Sequence, residues 1–430
     1  MHRRLDARDP GFADAFDRLV EAARESDAQM SGAVAGIIAD VARRGDAAVA
    51  ELTQRFDRID LAEVGLEIGA DEIDRACAEV APELMQALEL AAARIRAFHE
   101  RQRPADHDGV DTAGVRAGYR WSPVDSAGLY VPGGLASYPS SVLMNAIPAK
   151  VAGVGRVVMT TPTPDGRLNP LVLAAARLAD VDAIYRIGGA QAVAALAYGT
   201  QAIAPVDKIV GPGNAYVAEA KRQLYGRVGI DMVAGPSEIV VVADGANDPE
   251  WLAADLLSQA EHDPVAQAIL ITDDAGLADR TAAAVEALIE RLPTGATARR
   301  SWDDQGAIIT VERLADAIPL VNRLAPEHLE LAVDDPNALF AQVRHAGSVF
   351  LGRHTPEAVG DYVGGPNHVL PTGRRARFAS GLSVTDFMKR TTFLECSAEG
   401  LQAIGPAART LAEAEGLPAH AESVAVRLRG

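Results

Sequence analysis

The sequence predicts an α/β protein with two units, each built around a parallel sheet, with helices before the first unit and a helical tail after the second. Three observations support this prediction. From about residue 125 onward, short apolar runs alternate with amphipathic segments, which is the order of strand–helix–strand units. Over residues 1–100, apolar residues recur at helical spacing instead. The length of 430 residues exceeds what one hydrophobic core usually serves, so at least two domains are expected.

Helices are predicted at both ends of the chain. Apolar residues follow a helical period through residues 31–56, and Gly45 interrupts that period, which indicates two consecutive helices. Residues 82–102 predict a further long amphipathic helix, and residues 399–428 predict a helical tail.

Short apolar runs between these helical regions predict the strands. In the first unit they cover residues 126–134, 155–162, 181–189 and 207–213. In the second unit they cover residues 237–245, 266–274, 306–311 and 328–333. Because helical segments separate the runs, each unit is expected to be a Rossmann-like, incomplete doubly wound domain with parallel strands.

The composition is that of an ordinary globular protein, with 48% hydrophobic and 23% charged residues. The formal net charge of -18 repels phosphate backbones and argues against a nucleic-acid partner. Cys77 and Cys396 lie far apart and in no metal-binding spacing, so a reducing compartment without disulfides is expected. The first residues lack the apolar stretch of a signal peptide, and no apolar run approaches the roughly 20 residues of a membrane span. We therefore expect a cytoplasmic protein without a membrane partner.

Glycine-rich turns follow several predicted strands. They include Gly133–Gly134, Gly188–Gly189 and the GPGN turn of residues 211–214. Ligands of open parallel sheets bind at the carboxyl ends of the strands, and glycine lets the backbone approach a ligand closely. The GPGN turn opens a helix as a dinucleotide fingerprint does, but Tyr216 stands where the third glycine belongs. Taken alone, these turns fit a nucleotide site or simple chain reversals.

Two segments combine histidine with other metal-ligating side chains. Gln259 and His262 are three residues apart at the end of a predicted helix, which places both on one face. Asp361 and His368 occur in a predicted loop rich in glycine. Imidazole nitrogens with carboxylate and amide oxygens suit Zn²⁺ or Mn²⁺. A solvated helix end and a capping aspartate are the alternatives, and spacing alone does not assemble these residues into one site.

Glu327 and His328 stand side by side after Pro326 in the apolar segment NRLAPEHLELAV. They form either a solvated turn or an acid–base pair. Adjacent residues of a regular strand point to opposite faces. Both side chains can therefore reach one cleft only if Pro326 makes the start of the strand irregular.

Eight motifs together resemble the histidinol dehydrogenase family. They occur in order from about residue 120 to the C-terminus, and the helical N-terminal part is more loosely similar. The motifs are YVPGGLASYPSSVLMNAIPAKVAGV, DKIVGPGNAYVAEAKRQLYG, DMVAGPSEIVVVAD, DLLSQAEHDP, APEHLEL, GSVFLG, GDYVGGPNHVLPT and EGLPAH. A shared fold alone would not produce so many motifs in the same order.

The resemblance implies an NAD-dependent, two-step oxidation of L-histidinol through L-histidinal to L-histidine, the final steps of histidine biosynthesis. It also implies a homodimer with one Zn²⁺ per active site, for which Mn²⁺ could substitute. The residues that match the metal ligands are Gln259, His262, Asp361 and His420. In the family the C-terminal segment reaches the other subunit, so the tail with Glu415 and His420 is expected to complete the partner's active site.

The resemblance also assigns chemical roles. His328 is expected to be the base in both oxidations, and Glu327 is expected to activate the water that adds to the aldehyde. Zn²⁺ has no accessible redox chemistry, so it is expected to hold and polarise the substrate while NAD⁺ takes the hydride. The expected substrate contacts are Ser237, Gln259, His262, His328, Asp361, His368, Glu415 and His420. The expected NAD contacts are Tyr130, Gln191 and Asn214.

We expect the chain to divide into two domains and two terminal segments. Residues 24–129 together with 239–381 are expected to form a Rossmann-like domain that carries most metal and acid–base residues. Residues 130–238 are expected to form the NAD-binding domain. The terminal segments are residues 1–23 and 382–430.

Other functions also fit parts of the sequence. A sister zinc- and NAD-dependent dehydrogenase of another small primary alcohol would change the substrate-holding residues, whereas Ser237, His368 and Glu415 match the histidinol pattern. A metal-dependent hydrolase would use the metal and the Glu327–His328 pair but would need no dinucleotide. A non-catalytic, metal-stabilised dimeric binding protein gives no reason for that pair to stand in an apolar setting.

Overall fold

The computed structural model describes residues 2–21, 28–133 and 138–429. The start of the expected first domain at residue 24 and Gly134 of the first glycine turn therefore lie outside the described residues. The helices are α1 (Phe12–Glu21), α2 (Ala28–Arg44), α3 (Asp46–Asp57), α4 (Leu61–Val64), α5 (Ala70–Glu79), α6 (Pro82–Glu100), α7 (Pro139–Ala152), α8 (Pro170–Leu178), α9 (Gly189–Tyr198), α10 (Ala215–Leu224), α11 (Pro249–Ala260), α12 (Ala275–Ile289), α13 (Gly295–Gln305), α14 (Ala317–Leu324), α15 (Pro336–Phe340), α16 (Glu357–Tyr362), α17 (Ala398–Ala414) and α18 (Pro418–Leu428).

The strands form three separate sheets. They are β1 (Arg3–Asp6), β2 (His107–Val110), β3 (Val115–Pro123), β4 (Ser126–Tyr130), β5 (Arg156–Thr160), β6 (Ala183–Tyr185), β7 (Lys208–Val210), β8 (Gly229–Ile230), β9 (Glu238–Ala243), β10 (Gln267–Thr272), β11 (Ala307–Thr310), β12 (His328–Ala332), β13 (Ser348–Leu351) and β14 (Met388–Cys396). Every strand that the apolar runs predict is present, with bounds that agree to within a few residues.

A six-stranded sheet has the order β1-β11-β10-β9-β12-β13, and all its neighbouring strands are parallel. All residues of β9, β10 and β12 are buried because helices cover both faces. Ile239 and Val241 face α11, α12 and α13, whereas Val240 and Val242 face α1 and α14. This alternation follows from the two-residue period of a strand.

A five-stranded sheet has the order β6-β5-β4-β7-β8, again with all neighbours parallel. Helices α5, α6, α7 and α8 cover one face, and α2, α3, α9 and α10 cover the other. The packing of α2–α6 differs from the expected division of the chain, because residues 28–100 share a core with this sheet rather than with the six-stranded one. The expected domain boundary at residue 130 also falls at the last residue of β4.

The two parallel sheets share one topology. If the first strand of each unit is called strand 1, both β6-β5-β4-β7-β8 and β11-β10-β9-β12-β13 follow the order 3-2-1-4-5. This is the order of an incomplete doubly wound sheet, with a switch point between strands 1 and 4. The expected α/β fold class with two Rossmann-like units is confirmed. β1, which the sequence did not predict, extends the second sheet at the β11 edge.

A third, antiparallel sheet is an addition to the predicted fold. It has the order β14-β3-β2, and most of its residues are exposed on both faces. Such strands lack the alternation of apolar and polar residues that identifies a half-buried strand. The tail therefore begins with a long strand, β14, before the helices α17 and α18 that the sequence predicts.

None of the helices in the described residues combines the length and the apolar character that crossing a bilayer would need.

Candidate active site

The chain turns sharply just before β12. After α14, Ala325 adopts a left-handed conformation with φ of 45°, and Pro326 follows. Gly347 lies against this turn, and a Cβ there would stand 2.6 Å from the Glu327 carbonyl oxygen. Glu327 thus precedes the regular strand and His328 begins it. Glu327 Oε2 lies 3.9 Å from His328 Nδ1, so both side chains reach one site through an irregular strand start.

Oxygen atoms surround Nδ1 of His328. Gln259 Oε1 lies 3.0 Å away, Glu357 Oε1 3.2 Å and the Glu238 carbonyl oxygen 3.3 Å. Because amide and backbone carbonyl oxygens only accept hydrogen bonds, Nδ1 carries the proton and donates it. The buried Nε2 atom has no hydrogen-bond partner within the described part of the chain. Its lone pair is therefore available to accept a proton.

Burial controls the protonation of this pair. Loss of solvation lowers the pKa of His328 to about 3, against the hydrogen bond to the Glu238 carbonyl, which raises it. Burial raises the pKa of Glu327 well above its usual range. The Glu238 N–H donates to Glu327 Oε2 at 3.1 Å, and the Ser237 hydroxyl also bonds to this carboxyl group. The imidazole is thus neutral at pH 7, and the carboxyl group is able to hold a proton.

Helix α16 brings two more carboxylates beside His328. Glu357 and Asp361 are four residues apart on this helix, so they lie on one face. Gly360 lies against the ring of Phe350, and this close approach leaves no room for a Cβ. Asp361 Oδ1 lies 3.8 Å from His328 Nε2. Asp361 was predicted to lie in a glycine-rich loop, and this prediction is wrong: Asp361 lies in the last turn of α16, and the glycines at 364 and 365 follow the helix.

Glu357 is a candidate functional residue that the sequence analysis missed. It is 2% exposed, and it approaches both His328 and the Ser258 hydroxyl, the latter at 3.5 Å. Its four-residue spacing from Asp361 was the available signal, since that spacing places two carboxylates on one helix face.

The donor set around His328 suits a divalent metal ion. Donor atoms of His328, Glu357 and Asp361 lie within 4.8 Å of one another, and Gln259 Oε1 is also adjacent. Burial raises the pKa values of Asp361 and Glu357, and the charge of Asp361 raises that of Glu357 further. A dication would offset this repulsion and desolvation. Nitrogen and oxygen donors in such a cluster fit zinc.

The expected metal ligands are only partly assembled within one chain. Gln259 and Asp361 both lie at His328. His262 follows the end of α11 and is exposed, and its charge lowers the pKa values of His328 and His368, so it stands near both. His420 is exposed on α18, and the group of possible metal ligands among the described residues does not include it.

Besides Glu357 and Asp361, two further carboxyl groups, those of Glu330 and Asp255, lie next to each other. Glu330 is on the same face of β12 as His328, and it hydrogen-bonds to Asp255 of α11. Burial, together with the neighbouring carboxyl group, raises the pKa of Glu330, and burial raises the pKa of Asp255. A shared proton keeps such a pair from carrying two charges. These carboxyls add to the negative potential at Glu357.

A pocket of about 270 Å³ opens beside this cluster. Its lining includes Arg94, His328, Phe350, Asp361 and His368. His368 Nδ1 lies 3.0 Å from the Asp361 carbonyl oxygen, and Nε2 lies 3.5 Å from the Ser141 hydroxyl. The volume and a mostly apolar lining with a few polar groups fit a small molecule that carries hydrogen-bonding groups.

The expected substrate contacts divide into two groups. Ser237 bonds to Glu327, and His368 lines the pocket, so these two lie at the site together with Gln259, His262, His328 and Asp361. Glu415 and His420 lie on the exposed terminal helices. One chain therefore brings together the first group but not the second.

The expected NAD contacts lie at the carboxyl edge of the five-stranded sheet. Tyr130 ends β4, and its hydroxyl accepts a hydrogen bond from the Gly189 N–H at 3.0 Å. Gln191 is buried in the first turn of α9. Asn214 Oδ1 caps α10 by accepting hydrogen bonds from the backbone N–H groups two and three residues further along the chain. The side chains of Tyr130 and Asn214 thus also stabilise the local structure.

The GPGN turn is clamped by a buried ion pair. Lys221 Nζ contacts Asp231 Oδ1, and both side chains are almost fully buried. Lys221 donates to the Gly211 carbonyl oxygen at 2.9 Å, and Asp231 accepts from the Gly211 N–H at 2.8 Å. Removal of one partner from such a buried pair costs about 3–5 kcal/mol. The pair therefore fixes the turn firmly against β4.

The two parallel sheets carry their candidate functional residues at opposite edges. His328 begins β12 and Ser237 precedes β9, so the acid–base cluster lies at the amino ends of strands in the six-stranded sheet. Tyr130 and Asn214 lie at the carboxyl ends of β4 and β7 in the five-stranded sheet. The general expectation of ligand binding at carboxyl ends therefore holds for the candidate dinucleotide residues only.

Comparisons with known proteins agree on one family. A family model described as histidinol dehydrogenase matches residues 20–428. A curated histidinol dehydrogenase from Zymomonas mobilis is 67% identical, with 100% of both chains covered. One from Ruegeria pomeroyi is 63% identical, with 100% of this chain and 99% of that one covered. The crystal structure of histidinol dehydrogenase from Elizabethkingia anophelis matches with a TM-score of 0.95 and 37% identity, covering 100% of this chain and 98% of that one.

The tautomer of His328 is directly testable. In the metal-free full chain with ¹⁵N-labelled histidine, we expect Nδ1 to be protonated and Nε2 to be bare, because acceptors surround Nδ1. Two-bond ¹H–¹⁵N correlation spectra distinguish the tautomers, and His328→Asn identifies the signal. His99 is an internal reference, because its Nδ1 lies 2.8 Å from the Ile95 carbonyl and its Nε2 3.3 Å from Asn367 Nδ2. A proton on Nε2 of His328 would contradict the assignment of its lone pair.

Proposed function

Since the chain belongs to the histidinol dehydrogenase family, we propose how its residues divide the work of oxidising L-histidinol through L-histidinal to L-histidine. Members of this family are NAD-dependent oxidoreductases of histidine biosynthesis that use zinc, so NAD and zinc are the cofactors here. The single observation that carries the proposal is the environment of His328, where three oxygens fix Nδ1 and leave Nε2 as a buried, open proton acceptor.

His328 is the base in both oxidations. A primary alcohol loses a hydroxyl proton as hydride leaves the adjacent carbon, and an aldehyde hydrate loses one in the same way. The Nε2 lone pair accepts that proton in each step. Glu357 acts on Nδ1 at 3.2 Å, where its carboxylate stabilises the imidazolium that forms. Glu357 is thus a positioning residue for His328.

Glu327 activates the water that adds to the aldehyde. Its carboxyl group is held by the Glu238 N–H and the Ser237 hydroxyl. Burial raises its pKa, so its carboxylate form takes a proton from water more readily than that of an exposed glutamate does. The aldehyde carbon gains the water oxygen, and the former carbonyl oxygen takes up the proton that Glu327 received. The resulting hydrate is the substrate of the second oxidation.

The two cofactors supply what the side chains lack. Zn²⁺, when bound, holds and polarises the amino alcohol, and Gln259, His262 and Asp361, with the partner's His420, would ligate it. NAD⁺ takes up the hydride in each oxidation. Ser237, His368 and the partner's Glu415 would hold the polar ends of the substrate. Tyr130, Gln191 and Asn214 would contact NAD⁺ on the unit of residues 130–238, while the six-stranded unit supplies most of the other groups.

The homodimer is supported by the terminal arm. Residues of α17 and α18 are mostly exposed, including large apolar side chains such as Leu411 at 63% and Val426 at 48%. Glu415 and His420 are exposed on the same arm rather than at the site of their own chain. A second copy that receives this arm would cover its apolar side chains and gain the missing groups. Free thiols at Cys77 and Cys396 support a cytoplasmic location.

The stoichiometry of the reaction tests the proposed function. The purified chain should form two NADH for each L-histidinol consumed, because an alcohol-to-acid oxidation releases two hydrides. Chelation should abolish the activity and added Zn²⁺ should restore it, as followed by absorbance at the NADH band. One NADH per substrate would limit the chain to the first oxidation, and activity that survives complete metal removal would contradict the zinc role.

Separate assays of the two oxidations test the roles of Glu327 and His328. His328→Asn should lower kcat with both L-histidinol and L-histidinal, by about 10²- to 10⁴-fold for the loss of a general base. Glu327→Gln should largely spare the oxidation of histidinol to the aldehyde and impair aldehyde oxidation more strongly, because only that half requires activated water. Equal damage to both halves by Glu327→Gln would rule out this division of roles.

Mixed dimers test whether the arm crosses between subunits. His420→Asn and His328→Asn should each be nearly inactive alone. When the two variants are unfolded together and refolded in equal amounts, mixed dimers should carry one intact site, which restores about a quarter of the wild-type activity for random pairing. Metal content and native mass spectrometry confirm that the mixed dimers have formed. If His420 serves its own chain, the mixture stays inactive.

A further inference from the structure

The segment of residues 363–370 passes from the six-stranded unit to the helices of the five-stranded unit. It begins just after Asp361 and α16, where Arg94 of α6 donates to the carbonyl oxygens of the first two residues of the segment, at 2.5 and 3.2 Å. Gly365 has a φ of 109°, and a Cβ there would stand 3.2 Å from the Arg94 carbonyl oxygen. Val369 then joins the buried core that α6 and α7 form beneath the five-stranded sheet. The segment is thus attached to α6, although Asp361, just before it, lies on the other unit.

Asn367 anchors the middle of this segment. Its side chain is 7% exposed, and its Nδ2 atom donates to the Met144 carbonyl oxygen at 2.6 Å and to His99 Nε2 at 3.3 Å. Its Oδ1 atom accepts from the Val369 N–H at 2.9 Å. An amide group has two N–H donors, so both are used, one toward α7 and one toward α6. The side chain therefore joins the segment to two helices at once.

His99 is the partner of Asn367 on α6, and it is 0% exposed. Its Nδ1 atom lies 2.8 Å from the Ile95 carbonyl oxygen, which only accepts, so Nδ1 carries the proton. Burial lowers the pKa of His99, against the Ile95 and Leu382 backbone groups, which raise it. The ring is therefore neutral at pH 7, and its Nε2 lone pair accepts from Asn367. Neither residue is among those assigned above to acid–base chemistry, zinc, NAD or substrate.

His368 follows Asn367 directly and reaches the pocket between the two units. Its Nδ1 atom lies 3.0 Å from the Asp361 carbonyl oxygen of α16, and its Nε2 atom lies 3.5 Å from the Ser141 hydroxyl of α7. The imidazole thus touches one residue from each unit. Because the neighbouring side chain is tied to α6 and α7, the backbone from which His368 extends is fixed relative to both. A group displaced by about 1 Å from its productive place costs a large part of its effect.

We propose that Asn367, held by His99, is a positioning residue for substrate binding, because it fixes the backbone that directs His368 into the pocket. This inference rests on the proposed role of His368 in holding L-histidinol. Neither Asn367 nor His99 touches the reacting atoms, so their loss should weaken the binding of substrate rather than slow the transfer of a proton or a hydride.

Two substitutions of His99 separate the bond to Asn367 from the packing of the ring. Asparagine keeps a donor near the Nδ1 position but has no group at the Nε2 position, whereas glutamine places a carbonyl oxygen near Nε2 that accepts from Asn367. His99→Asn should raise the dissociation constant and the KM of L-histidinol by about tenfold while kcat stays within about twofold, because a misplaced binding group weakens ground state and transition state alike. His99→Gln should restore most of the affinity.

Isothermal titration calorimetry of the zinc-loaded full chain with L-histidinol, in the absence of NAD⁺, measures this binding without turnover. Steady-state kinetics then give KM and kcat separately. Equal affinity in His99→Asn and the wild type would overturn the inference. A fall in kcat at unchanged KM would also overturn it, because the effect would then lie on the chemical step.

Asn247→Ser is the matched control for Asn367→Ser. Asn247 is also buried, at 6% exposure, and its Nδ2 atom donates to the Ala332 carbonyl oxygen at 2.7 Å, but it follows the carboxyl end of β9, away from the pocket. Both substitutions remove a buried bond between separate segments, so both should lower the denaturation midpoint. Only Asn367→Ser should weaken the binding of L-histidinol. Equal weakening in the control would overturn the inference, because it would reflect lost stability alone.

Nuclear magnetic resonance gives a readout that is independent of substrate. In the metal-free full chain with ¹⁵N-labelled histidine, Asn367→Ser should shift the ring signals of His368, which His368→Asn identifies, and should leave those of His328 in place. Unchanged His368 signals would overturn the inference, because the imidazole would then keep its place without Asn367. If Asn367→Ser does not fold, the two His99 variants decide in the same spectra.

The outcomes separate this inference from the proposed function. If His368→Asn weakens the binding of L-histidinol but His99→Asn and Asn367→Ser do not, the positioning role is overturned and the proposed role of His368 stands. If His368→Asn binds L-histidinol as the wild type does, both the role of His368 and this inference are overturned.

Discussion

The candidate active site depends on how the His328 imidazole is held. Three oxygens from different elements, on α11, β9 and α16, converge on Nδ1. They fix the tautomer and the plane of the ring, and they leave the lone pair of Nε2 without a hydrogen-bond partner among the described residues. The rest of the site follows from this arrangement. The irregular start of β12 brings Glu327 to the same side, and the close approach of α16 at Gly360 brings Glu357 and Asp361 within reach.

The cost of this arrangement is a concentration of buried acidic groups. Burial raises the pKa values of Glu327, Glu357, Asp361 and Glu330, because removal from water disfavours their charged forms. Two arrangements offset this cost of desolvation. Asp255 and Glu330 share a hydrogen bond, and the carboxyl groups nearest His328 are placed to bind a dication. The buried carboxyl groups nearest His328, whose desolvation opposes folding, are thus the groups that would bind zinc.

The duplicated sheet order separates two tasks. The six-stranded sheet presents the acid–base cluster at the amino ends of β9 and β12, whereas the five-stranded sheet presents glycine turns at the carboxyl ends of β4 and β7. The segment between Asp231 and Glu238 links them, and it is anchored at one end by the Lys221 clamp and at the other by the hydrogen bond from Glu238 to Glu327. A hydride acceptor on one sheet could in this way meet a base on the other.

The sequence by itself determined the strands of both parallel sheets except β1, β8 and β13, because fully buried strands read as short apolar runs between amphipathic helices. It also determined the family, through motifs that carry Gln259, His262, Glu327, His328 and Asp361 in order. The antiparallel sheet of β2, β3 and β14 escaped prediction, because its exposed faces impose no apolar pattern. The tertiary structure alone decided that α2–α6 pack on the five-stranded sheet and that Glu357 joins His328. These are contacts between residues far apart in the chain, and a local pattern records the burial of a residue but not the neighbour against which it is buried.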